Sequence, residues 1–123
     1  MIYRKLFCLL TLVLICVAPA MAVDCEHADS TAEMSECGGI EFTKADKELN
    51  EVYGKLMKML DTEGQRRLKA AQRAWLSFRD ADADFRADVH RGGTWEPITA
   101  TAARTDLTRQ RVNALKEEME VRK

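Results

Sequence analysis

The chain has 123 residues, 32% of them charged, and a formal net charge of −1. That length holds one small domain with one core. The near-neutral balance excludes the basic patch expected of a nucleic-acid binder.

Residues 1–22 read as a secretory signal. Arg4 and Lys5 form its basic start, and the apolar run from Leu6 to Val17 is too short to cross a bilayer comfortably. Ala20-Met21-Ala22 is an A-x-A cleavage site, so the mature chain is expected to begin at Val23. Removing the leader leaves 101 residues. It also removes two basic side chains, so 17 basic residues face 20 acidic ones and the net charge becomes −3. Ile15 precedes Cys16 where a lipobox requires a small residue. A periplasmic or secreted protein without a stable membrane anchor is therefore expected. Cys25 and Cys37 remain, and an even pair in an exported chain reads as a disulfide. Their spacing is not C-x-x-C, and His27 alone does not complete a zinc site.

After a short polar arm, Ser30-Thr31-Ala32-Glu33 has the spacing of a capping box and opens the first helix. Gly38-Gly39 reads as a bend or break in it. Asp46, Leu49, Asn50, Tyr53, Leu56, Met57 and Leu60 then form one stripe. Asp61-Thr62-Glu63-Gly64 is a turn, and a second helix follows to about His90. On it Leu68, Ala71, Trp75, Phe78, Phe85 and Val89 recur at helical spacing and predict the buried face. Gln72, Arg79, Asp82 and Arg86 fall on or beside that face, where unpaired polar groups are costly. Arg91-Gly92-Gly93-Thr94-Trp95-Glu96-Pro97 is the clearest break. The last helix is expected from Thr99–Thr101, with Leu107, Arg111, Ala114 and Leu115 inward. No strand-period segment or repeat appears. The predicted architecture is a small all-α antiparallel bundle of three main helices with a disulfide-tethered N-terminal arm, forming one domain over residues 23–123.

If the first two helices pack antiparallel about Thr62, residues equally far from the turn meet. Asp46 then lies level with Arg79, Asn50 near Trp75 and Tyr53 near Gln72. This register predicts an Asp46–Arg79 ion pair within a structural polar seam of Asp46, Asn50, Tyr53, Gln72 and Arg79.

Several blocks of the sequence are specific together. They are Met34-x-x-Cys37, Ala45-Asp46-x-x-Leu49-Asn50-x-x-Tyr53, and Leu68-x-x-Ala71-Gln72-Arg73-Ala74-Trp75-Leu76-x-Phe78-Arg79-Asp80. Gly92-Gly93 and Leu107-Thr108-x-x-Arg111-x-x-x-Leu115 complete the set. On these residues the chain resembles the LprI-type family, named for a lipoprotein inhibitor of lysozyme, over nearly the whole mature length. The resemblance implies an exported, disulfide-bonded helical domain. It also implies a binding protein that inhibits lysozyme-type peptidoglycan hydrolases by occluding them. Two departures stand out. Family members of this kind carry a second cysteine pair where Ala83 and Ala103 stand here, so these two alanines are expected to be neighbours. The lipobox is also absent.

No catalytic arrangement is visible. Ser77 lacks a G-x-S-x-G context, and His27 and His90 stand alone. Gly92-Gly93 lacks the Lys-Ser/Thr of a phosphate loop. Asp80, Asp82, Asp84 and Asp88 read as a solvated acidic face rather than a cation site. A non-enzyme without metal or cofactor is expected. Trp75 reads as core. Trp95, in a Gly-rich connection, reads equally as a binding aromatic or as a lid on the bundle end. The candidate binding residues are Trp95, Glu96, Gly93 and Asp80. The alternative to a hydrolase inhibitor is a non-inhibitory envelope adaptor with another partner.

Overall fold

The computed structural model describes residues 21–123. The signal-peptide reading lies, except for its last two residues, outside that range. Among the described residues the chain forms three long helices, α1 (Thr31–Met59), α2 (Thr62–Ala87) and α3 (Trp95–Val121), with a short 3-10 turn at Asp88–His90. An all-α bundle is the observed class.

The start of α1 is the reciprocal cap that the sequence encodes. The Glu33 N–H donates to Ser30 Oγ at 3.2 Å, and the Ser30 N–H donates to Glu33 Oε2 at 3.0 Å. The Ser30 backbone N–H and its hydroxyl hold the Glu33 carboxyl below the usual carboxylate range. Cys25 and Cys37 are joined, their Cα atoms 5.6 Å apart, and so tether the arm to the second turn of α1. Gly38 and Gly39 do not break the helix. Each glycine costs about 1 kcal/mol relative to alanine, but α1 continues through both to Met59 and packs along α3.

The connection to α2 is closed by side chains. The Gly64 N–H donates to Asp61 Oδ1 at 2.8 Å, which caps α2. A Cβ on Gly64 would sit 3.1 Å from that oxygen and 3.2 Å from Leu60 Cβ, so the turn suits glycine. Gln65 Nε2 donates back to the Met57 and Leu60 carbonyls at 3.0 and 3.2 Å, satisfying acceptors that a helix end leaves open.

The packing differs from the expected hairpin. α1 and α2 each pack along α3 and scarcely touch one another. The core is Leu49, Val52 and Leu56 from α1 with Val112 and Leu115 from α3. Tyr53, Leu60, Leu68, Trp75 and Met119 pack against its edge. Asn50 is exposed instead of lying in a seam, and so is Ala114 of α3. On α2 the buried residues are Gln72, Arg79, Ala83 and Ala87, a different face from the aromatic stripe. Phe78, Phe85 and Val89 are 55%, 77% and 79% exposed, and Ala71 is exposed too. The reason is size. Ala83 and Ala87 are 0% and 1% exposed, Ala100 and Ala103 of α3 are buried too, and α2 packs along α3. Small residues on both sides allow the close approach that phenylalanines there would block.

α3 also begins earlier than expected. Trp95, Glu96 and Pro97 form its first turn, not a loop. Proline is tolerated there because the first-turn N–H groups have no intrahelical acceptor.

Ala83 and Ala103 are both buried on packed elements. An Ala83→Cys/Ala103→Cys variant should therefore oxidise to a second disulfide and gain about 3 kcal/mol over the reduced form. Thermal unfolding with and without reductant checks this, and failure to oxidise would place the two Cα atoms more than about 7 Å apart. A second expectation concerns pH. The side chains of Arg66 and Arg67 hold the Glu63 carboxyl down at about 2. A lowered folded value means stabilisation that is complete above the ordinary 4.5 and lost as pH falls towards 2. Glu63→Gln should flatten the acid limb of the unfolding curve across that window.

Candidate protein-binding surface

The most distinctive side chains of the sequence turn inward. Arg79 is 8% exposed. Its Nε donates to Asp80 Oδ1 at 2.9 Å. Its Nη1 lies 3.5 Å from both Asp46 Oδ1 of α1 and Thr108 Oγ1 of α3. The guanidinium also stands over the rings of Phe42 and Trp75, at 5.3 and 5.4 Å from their centroids. Two turns earlier on α2 Gln72 accepts from Arg111 Nε at 3.0 Å, and Arg111 covers the same indole at 5.7 Å. Burial pushes the Arg111 guanidinium down from its ordinary value. Of the expected seam, Asp46 and Arg79 thus lie together. Gln72 finds its partner on α3, and Tyr53 packs against the apolar core. The block between Ala70 and Asp80 therefore offers a ligand only its outer side.

The acidic face is internally compensated. Asp80 takes Arg79 and also lies 3.6 Å from Arg104 Nε. Asp84 accepts from Arg104 Nη2 at 2.6 Å, and Asp82 from Arg86 Nε at 2.7 Å. Asp88 pairs with Arg91. Asp80 is exposed at its edge but committed to two arginines. Among the described residues, no three His, Cys, Asp or Glu side chains are grouped to hold a metal ion.

The remaining candidates sit together between α2 and α3. Gly92 has φ +76°, the left-handed region that favours glycine. The Gly93 N–H donates to the His90 carbonyl at 2.9 Å, and a Cβ on Gly93 would approach that oxygen to 3.2 Å. Glu96 reaches back to accept the Gly92 N–H at 2.6 Å, so its carboxylate fastens the turn. Trp95 is left 46% exposed, with the His90 ring 6.4 Å away at a tilt of 41°. The turn is thus fastened by hydrogen bonds and presents one large aromatic side chain.

Two features escape the sequence reading. One is the exposed row of Phe78, Phe85 and Val89, assigned to the core because a wide apolar stripe normally faces inward. The seven-residue step from Gln72 to Arg79, followed by Ala83 and Ala87, is the signal that would have marked the true inner face. The other is a cavity of about 410 Å³ near the α1–α2 turn, lined by Leu56, Leu60, Leu68 and Leu115 with Arg67 and Arg111. Its lining comes from all three helices, a juxtaposition that no local pattern encodes.

If Trp95 serves binding and not packing, Trp95→Ala should lower stability by less than about 1 kcal/mol. Thermal unfolding followed by circular dichroism checks it, and a loss of several kcal/mol would show a lid on the core.

Residues 23–115 match the family described as Lysozyme inhibitor LprI. The chain is 35% identical over 128 aligned positions to an uncharacterized protein of Rhizobium meliloti (strain 1021), covering 90% of this chain and 92% of the relative. No solved structure matches. Among the described residues no helix is long and apolar enough to cross a membrane. The matched segment runs from the disulfide-tethered arm to the last buried leucine of α3, and by that match the chain belongs to the LprI family.

Proposed function

We propose that the protein is exported to the periplasm or the medium after cleavage at Ala22. There it inhibits lysozyme-type peptidoglycan hydrolases by occluding them, and is not itself an enzyme. The observation that carries this reading is the family match across residues 23–115. Two further features support it. The turn around Gly92 and Gly93 presents Trp95 on a fastened scaffold, and a rigid aromatic anchor suits insertion into a substrate cleft. The mature net charge of −3 favours encounter with a cationic hydrolase.

The test is a titration of the mature protein into a cell-wall lysis assay with several lysozyme types. Saturable loss of lysis is expected, and Trp95→Ala should weaken it by about tenfold or more. Unaltered lysis at excess protein with every lysozyme type would reject inhibition and leave the envelope-adaptor reading. Full inhibition by Trp95→Ala would keep the activity but move the contact surface away from this turn.

A further inference from the structure

The cavity near the α1–α2 turn holds a cation that the bundle leaves without a counter-charge. Three arginines line it, and two of them are paired. Arg67 Nε lies 2.8 Å from Glu63 Oε1, and Arg122 pairs with Glu118. Arg111 is different. It is half-buried, its Nε donates to the uncharged Gln72, and its guanidinium stands over Trp75. Among the described residues no carboxylate lies within 4.0 Å of it, and neither Nη group has an acceptor. No buried side-chain polar atom lacks a partner. Both Nη groups are therefore open to solvent, on a residue that lines the cavity. Burial pushes this guanidinium down, and the Glu118 charge opposes the shift. Apart from its charged residues the lining is leucine, alanine and glycine, with no hydroxyl, amide or imidazole side chain.

We propose that this cavity binds a single-chain fatty acid, its carboxylate on the free edge of Arg111 and its tail along the leucines. The two Nη groups of one guanidinium can take both oxygens of a carboxylate. Leu115 lies one turn beyond Arg111 on α3, so the head contact and the aliphatic lining adjoin. An acyl tail has no polar group to satisfy there. A peptide laid in the same place would bury backbone N–H and C=O groups without partners. The lining also sets the charge of the head. Three arginines and two glutamates give it a net of +1. One carboxylate neutralises that, whereas a phosphate dianion would exceed it and be repelled by Glu117 and Glu118. The cavity volume of about 410 Å³ falls within the roughly 300–1,000 Å³ of small-molecule sites. Trp95 stands 16 residues before Arg111 on the same helix, about 24 Å along its axis. The lipid site and the hydrolase reading are thus independent, and either can fail alone.

Isothermal titration of the mature protein with decanoate, kept below its micelle concentration, tests this. Saturable binding of one decanoate per chain is expected, with a rise in unfolding temperature as the ligand is added. Decanol has the same tail without the charge and should bind at least about tenfold more weakly. Acetate has the head without the tail and should not bind. Arg111→Gln should weaken decanoate at least about tenfold and leave decanol unchanged. Should that variant fold poorly, Ala114→Phe serves instead. Ala114 is exposed and lines the cavity, so the new ring fills the space for the tail while the guanidinium stays, and both decanoate and decanol should weaken. No binding of decanoate by the wild type overturns the proposal, as does uptake without saturation. Equal affinity for decanoate and decanol overturns it as well, because Arg111 would then play no part. So does full decanoate binding by Arg111→Gln and Ala114→Phe alike, which would place the chain elsewhere.

Discussion

The bundle depends on one buried cation. The Arg79 guanidinium lies where the three helices meet, against Asp46 of α1, Asp80 of α2 and Thr108 of α3, over the rings of Phe42 and Trp75. Burying a charge is unfavourable unless it is paired and hydrogen-bonded. Arginine can meet this requirement because its planar group donates at its edge while its faces stack on aromatic rings. The partners are also partly solvated, so no second charge is stranded: the side chains of Asp46 and Asp80 are 42% and 52% exposed. Once Arg79 is set, the rotation of α2 about its own axis is set with it. Gln72, Ala83 and Ala87 follow onto the inner face, and the phenylalanines are turned outward.

This explains why α3, and not the α1–α2 turn, organises the molecule. Thr108 is fully buried at 0% exposure; its hydroxyl donates to the Arg104 carbonyl at 2.7 Å and also accepts from Arg79. Arg104 reaches back to Asp84 and Asp80, and Arg111 to Gln72. The polar block of α2 is thus read mainly by α3. α1 contributes Asp46 and Phe42 at the crossing and the leucine core beyond it. A small protein of this kind buries limited apolar surface. The disulfide and the polar crossing fix geometry that its core alone would leave loose.

Much of the fold was legible in the sequence because its signals are local. The Ser30–Glu33 box, the Asp61 cap and the Gly92-Gly93 break each act within a few residues, and each stands at or beside a helix boundary. The cysteine pair was legible from count and compartment. Which face of α2 turns inward was not. Hydrophobicity pointed to Phe78, Phe85 and Val89, whereas the face turned inward carries Gln72, two alanines and a neutralised arginine. The start of α3 was placed late because the break was drawn through Pro97, although proline fits the first helical turn. Of the candidate site, Trp95 was legible as an aromatic next to glycines. The roles of Glu96 and Gly93 in fastening the turn needed coordinates, as did the pairing of Asp80 with two arginines.

Within the family block Gln72, Trp75 and Arg79 dock the helices, while Phe78 in the same block and Trp95 beyond it stay exposed. The most direct test is the denaturant midpoint of Arg79→Lys against wild type. Lysine keeps the charge, but its single ammonium cannot reach Asp80, Asp46 and Thr108 together while standing over the Phe42 and Trp75 rings. The account predicts a loss of about 2 kcal/mol with an unchanged denaturant slope. An unchanged midpoint would contradict it, because the guanidinium would then not be what holds the three helices in register.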